Sequence, residues 1–137
     1  MKTLYTTKIN VTSGRDGSVR SDDDRLTARL AFPTVLGGTG EGTNPEQLFA
    51  AGYAACFGST MATIAKAEGI ALSNVEVRSE VDLMLDGESY GLGVRLFVRA
   101  TGASNEKLVA LAEQSKKTCP YSRAIQNNVT TTVTIGS

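Results

Sequence analysis

Histidine is absent from all 137 residues. That absence removes the usual general base, the Cys–His and Ser–His pairs of nucleophilic catalysis, and the commonest metal ligand. Net charge is absent too. Fourteen basic residues balance 14 acidic ones, which gives no electrostatic reason to expect nucleic acid or an acidic membrane as partner. Cysteine is scarce. Cys56 and Cys119 stand 63 positions apart, without the paired spacing of a zinc site. The segment Met1 to Asn10 lacks the apolar stretch of a signal peptide, which predicts a cytoplasmic chain. Chemistry here must use Cys, Arg, Lys, Tyr, Asp or Glu.

The length fits one domain, residues 1–137, able to bury roughly 70% of its unfolded surface without a disulfide framework. The stretch from Leu48 to Ala65 carries no charge and is long enough to span a membrane. Ala, Gly, Ser and Thr fill most of it, so its transfer into lipid is weakly driven. It reads as the buried central helix of a globular domain.

Leu4 to Thr12 reads as a strand, and 13–18 as a turn. A second strand runs through Ser18 to Arg20. Leu26 to Phe32 alternates with the period of a half-buried strand. A glycine-rich loop, Leu36 to Thr43, leads into Asn44-Pro45-Glu46, which start a helix: Asn as cap, Pro at the first position, Glu in the first turn. That helix is predicted to run to about Glu68 and to be buried on nearly every side. Val75 to Leu85 alternates with Glu76, Arg78, Glu80 and Asp82, turns at Asp86-Gly87, and returns through Leu92 to Val98. Ser104 caps a second helix over 105–118, which Cys119-Pro120 interrupts or ends. Val129, Val133 and Ile135 mark a last strand. Strands and helices in blocks predict an α+β domain with mainly antiparallel pairing.

The glycine loop does not follow GxGxxG spacing and lacks the Lys of a phosphate loop, so it reads as a crossover. Cys56 alone, mid-helix, reads as a small core hydrophobe. Cys119 sits beside Pro120 with Lys116, Lys117 and Arg123 near it. These cations favour a thiolate if they point inward, and form a solvated face if they do not. Arg15 in its turn and Glu46 in its first helical turn each have an ordinary structural explanation.

Taken together, the pieces resemble a family. The run Asn44-Pro45-Glu46-Gln47-Leu48-Phe49-Ala50-Ala51-Gly52-Tyr53-Ala54-Ala55-Cys56-Phe57 resembles the reactive-cysteine helix of organic hydroperoxide resistance (Ohr) proteins of the Ohr/OsmC family. Cys119-Pro120-Tyr121-Ser122 resembles their second-cysteine motif, and Gly14-Arg15-Asp16-Gly17 the turn carrying their catalytic arginine. The resemblance implies mainly antiparallel strands packed around two central helices in an OsmC-like intertwined homodimer.

It also implies a thiol peroxidase. Cys56 reduces an organic hydroperoxide and becomes a sulfenate. Cys119 then resolves it as a disulfide, and a dithiol, such as a lipoylated protein, reopens that bond. Arg15 stabilises the thiolate, and Glu46 orients Arg15 through a bidentate pair. No metal, haem, flavin or other cofactor is required. An OsmC-type peroxidase, a non-catalytic redox sensor and a binding protein with inert thiols are the competing readings. One tension is visible already. Glu46 and Cys56 lie about 15 Å apart along a straight helix and roughly 80° apart around it. An extended arginine, a bend near Gly52 or a second subunit are the ways to bridge that gap.

Overall fold

The structure is a computed structural model and describes residues 1–136. The chain divides into two compact units, Met1–Leu48 and Phe49 onward.

The first unit holds a three-stranded antiparallel sheet: β1 (Ile9–Thr12), β2 (Ser18–Ser21) and β3 (Thr27–Arg29), in that order. β1 is shorter than the predicted Leu4–Thr12. Its partner β2 is four residues long, with Ile9 opposite Ser21 and Thr12 opposite Ser18. Beyond Ser21 the chain turns away through the acidic run, so Leu4 to Thr7 have β-forming side chains but no ladder to join. Gly14–Asp16, read as a turn, forms a single 3-10 turn between β1 and β2, entered through Ser13 at φ 60°. In the glycine loop, the amides of Gly37, Gly38 and Gly40 donate to the carbonyls of Thr34, Pro33 and Phe32. Those amides are therefore occupied and do not form an anion cradle. Helix α1 (Pro45–Ala67) starts as expected: Asn44 Oδ1 accepts from the Gln47 amide at 2.9 Å, and proline fills the first helical position.

In the second unit, β4 (Ser73–Asp86) and β5 (Ser89–Thr101) form a long hairpin. Only Gly87 and Glu88 separate the strands, and Gly87 takes the positive φ (62°) that so tight a turn demands. The polar side of this hairpin is laced by ion pairs: Arg99 with Glu76, and Arg95 with both Glu80 and Asp82. The second helix, α2 (Asn105–Thr118), has the predicted bounds, with Ser104 Oγ accepting from the Lys107 amide. Cys119 adopts an extended ψ of 124° and breaks it. A third helix, α3 (Pro120–Ile125), comes immediately after it. The proline that ends α2 has the fixed φ suited to a first helical position, so it also begins α3. β6 (Thr131–Ile135) then pairs with β5 in parallel, through the helical crossover that parallel pairing requires. The architecture is α+β and mainly antiparallel, with this one parallel pair.

Helix α1 is not buried on every side. One stripe, Tyr53, Phe57, Met61 and Ala65, is fully buried against Val94, Leu96 and Val98 of β5 and Leu108, Leu111 and Ala112 of α2. The i, i+4 spacing of the stripe is one helical face. Among the described residues, α1 is the one helix long and apolar enough to cross a membrane, and that stripe is packed in a protein core.

Candidate active site

Two pairs of the predicted residues meet. In the first unit, Arg15 Nη1 donates to Glu46 Oε2 at 2.9 Å, and Nη2 donates to Oε1 at 2.6 Å. Arg15 leaves the 3-10 turn between β1 and β2, and Glu46 leaves the first turn of α1. Both are partly buried: their side chains are 30% and 15% exposed, which shields the pair from solvent screening. The two parallel bonds fix the plane of the guanidinium and leave its three other N–H groups free of this carboxylate. The arginine's donated bonds hold the Glu46 carboxyl below the usual carboxylate range, against the opposing effect of burial. The same pairing raises Arg15.

In the second unit, Cys56 and Cys119 are free thiols with their sulfurs 3.4 Å apart. A covalent bond would bring them to about 2.05 Å, a closure within the reach of small side-chain rotations. The two differ in access. Cys119 is fully buried and Cys56 is half-buried. Burial pushes the Cys56 thiol above its ordinary range, and the hydrogen bond shared with Cys119 adds to that. The backbone N–H of Tyr121 acts in the opposite direction.

The cations near Cys119 face outward. Lys117 and Arg123 are exposed, and Lys116 reaches toward Glu113 at 3.9 Å. They form the solvated face rather than a thiolate environment. Phe57 and Met61, apolar neighbours of Cys56 along α1, are fully buried in the core. Their side chains leave the helix about 100° and 140° around its axis from that of Cys56. Among the described residues no three acidic or thiol side chains converge to hold a metal.

One part of the site was not anticipated. The motif Cys119-Pro120-Tyr121-Ser122 rests on a single face of α1 made by Phe49, Gly52, Tyr53 and Cys56. Tyr53 Oη and Ser122 Oγ share a buried hydrogen bond of 2.7 Å. The Tyr121 ring stacks on Tyr53 at 5.9 Å and meets Phe49 edge-on at 6.2 Å. The spacing 49, 52, 53, 56 is the signal that was available, since these positions share a helical face.

A model of the family described as OsmC-like protein matches residues 38–134. The organic hydroperoxide resistance protein of Xanthomonas axonopodis pv. citri is 40% identical over 136 residues, which span 98% of this chain and 96% of that protein. Among solved structures, an organic hydroperoxide resistance protein OsmC from Legionella pneumophila is 42% identical, with a TM-score of 0.93 over 99% of this chain and 100% of that one. The organic hydroperoxide resistance protein OhrB of Bacillus subtilis is 38% identical, with a TM-score of 0.88 over 98% and 100%.

Proposed function

The chain belongs to the Ohr/OsmC family, and from that membership we propose that it is a cysteine-based peroxidase that detoxifies organic hydroperoxides. The observation that carries this reading is the pair of free sulfurs 3.4 Å apart, one half-buried and one fully buried. The accessible thiol suits the group that meets the peroxide, and the buried one suits the group that resolves it.

The Cys56 thiolate attacks the peroxide's terminal oxygen, the O–O bond breaks, and the organic fragment leaves as an alcohol. Cys56 becomes a sulfenic acid, which Cys119 captures as a disulfide with loss of water. An exogenous dithiol, lipoyl-type by the family likeness, reduces the disulfide. Burial works against the thiolate, and no histidine is present to take the proton. A cation must therefore favour ionisation, and Arg15 is the residue assigned to that task. Glu46 acts through Arg15 alone, because a carboxylate beside the sulfur would raise the thiol further. The protein works as a single-domain subunit of a cytoplasmic homodimer. Leu85 and Tyr90, paired with each other near the tip of the β4–β5 hairpin and both exposed, support a partner surface of that kind.

The test is intact-mass spectrometry after one equivalent of cumene hydroperoxide. The expected product is an intramolecular Cys56–Cys119 disulfide in high yield. A mainly intersubunit or mixed disulfide, or no thiol reaction, overturns the reading.

Substrate preference is a further expected outcome. Phe49 and the partly exposed Tyr121 flank Cys56 with apolar surface. Each buried methylene contributes roughly 0.8 kcal/mol, so two or more give a bulky organic hydroperoxide an advantage of about 15-fold in kcat/KM over hydrogen peroxide. Steady-state assays with both substrates check this, and equal values remove the argument.

A further inference from the structure

Tyr121 takes no part in the bond-making steps above, yet it is tied to both sulfurs. It lies two residues after Cys119, and its backbone N–H favours the ionised form of Cys56. Its ring lies over Gly52, one helical turn before Cys56. A Cβ on Gly52 would stand 2.7 Å from Tyr121 Oη and 3.2 Å from both Cε2 and Cζ. The ring is held on its other sides by the stack on Tyr53 and the edge of Phe49. The missing side chain at Gly52 is therefore the space that lets Tyr121 seat against α1. Seating it holds the α2–α3 elbow, and with it Cys119, over Cys56.

We propose that Gly52 and Tyr121 are a positioning pair that decides the fate of the oxidised Cys56, sending it to the disulfide rather than to over-oxidation. The inference rests on the peroxidase reading and deepens it. Two reactions compete for the sulfenic acid. In resolution, the Cys119 sulfur bonds to the Cys56 sulfur, the S–O bond breaks, and the oxygen leaves as water with the Cys119 proton. Cys56 is reduced and Cys119 oxidised. In over-oxidation, the sulfenic sulfur attacks a second hydroperoxide, the O–O bond breaks, an alcohol leaves, and Cys56 becomes a sulfinic acid. The first reaction depends on how often Cys119 stands in reach. The second depends only on peroxide concentration. A seated Tyr121 keeps the first fast, because the sulfurs need close by little more than an ångström.

The experiment exposes wild type, Gly52→Ala, Tyr121→Ala, Tyr121→Phe and the Gly52→Ala/Tyr121→Ala double variant to rising cumene hydroperoxide. Intact-mass spectrometry then reads the ratio of disulfide to sulfinate. Gly52→Ala and Tyr121→Ala should each raise the sulfinate share about ten-fold, the scale of a small misplacement of reacting groups, while Tyr121→Phe stays within about two-fold of wild type. Adding Gly52→Ala to Tyr121→Ala should cost nothing more, since the ring it displaces is gone.

The pH profile of Cys56 alkylation in Gly52→Ala should move to higher pH, because displacing Tyr121 weakens the lowering effect of its backbone N–H on the thiol. A merely structural alanine leaves that profile in place. If Gly52→Ala fails to fold, Tyr121→Ala carries the test, since Tyr121 is 39% exposed and contributes less to the core. Folded variants that partition as wild type does, or additive effects in the double variant, overturn the inference while leaving the peroxidase intact. A wild type that forms neither product overturns both.

Discussion

Replacing Cys56 with serine is expected to abolish peroxide turnover, while replacing Cys119 with serine leaves one oxidation per chain. The asymmetry comes from access and from chemistry. A serine hydroxyl at position 56 stays protonated at neutral pH and cannot displace an alkoxide from a peroxide. At position 119 the same change removes only the group that captures the sulfenate. The Cys119→Ser protein should therefore consume one equivalent of hydroperoxide and stop, holding a sulfenic acid that a dimedone-type trap labels at Cys56. Stopped-flow loss of peroxide with peptide mapping of the label checks both halves. If Cys119→Ser blocks the first oxidation and Cys56→Ser does not, the two roles are reversed.

Arg15→Ala should lower kcat/KM for hydroperoxide by about 10²- to 10³-fold, the usual loss when a preorganised donor to developing charge is removed. In the proposed mechanism the cation favours the thiolate, so its loss should also move the Cys56 ionisation to higher pH. Burial already pushes that ionisation upward. The rate against pH should keep climbing into alkaline solution, where that of the unsubstituted protein is expected to level off. Arg15→Lys should recover little, because an ammonium lacks the planar fork that meets both Glu46 oxygens. Glu46→Ala should cost less, about ten-fold, since it frees the guanidinium without removing its charge. Because the Glu46 carboxyl is held low, the pair stays ionised at neutral pH. It is lost only as pH falls through that depressed value, below the ordinary carboxylate range. An Arg15→Ala protein with an unchanged thiol ionisation and near-normal rate places the activating group elsewhere.

What was legible in the sequence was mostly local. Asn44 and Ser104 announce their helices because a cap needs only the next three residues. The alternation from Val75 to Val98 announces a hairpin because the side-chain period of a strand is written in its own residues. Features that depend on a partner were not legible. β-forming side chains from Leu4 to Thr7 say nothing about how far β2 extends opposite them. Proline can stop one helix or start another, and Pro120 does both. The all-round apolar look of α1 comes from alanine and glycine, whose small side chains give little contrast between faces. The buried stripe at 53, 57, 61 and 65 emerges only against β5 and α2.

The site divides in the same way. Arg15, Glu46, Cys56 and Cys119 stand out through family likeness in three short motifs. The meeting of Tyr121 with Gly52 and Tyr53 needs the α2–α3 elbow in place, and no window of adjacent residues contains it.

The two sulfurs come from α1 and from the elbow after α2, 63 residues apart in the chain. A ribosome adding about 5–20 residues per second takes roughly 3 to 13 s to cover that distance. For that interval each newborn chain carries the first thiol without the second. Neither α1's buried face nor the Tyr121 seat exists yet, because β5, α2 and α3 are still being made. The nascent thiol thus lacks the burial that later disfavours its ionisation, and also lacks the second thiol proposed to capture its oxidised form. A sulfenic acid formed on Cys56 in that interval would have no second thiol of its own chain to close with.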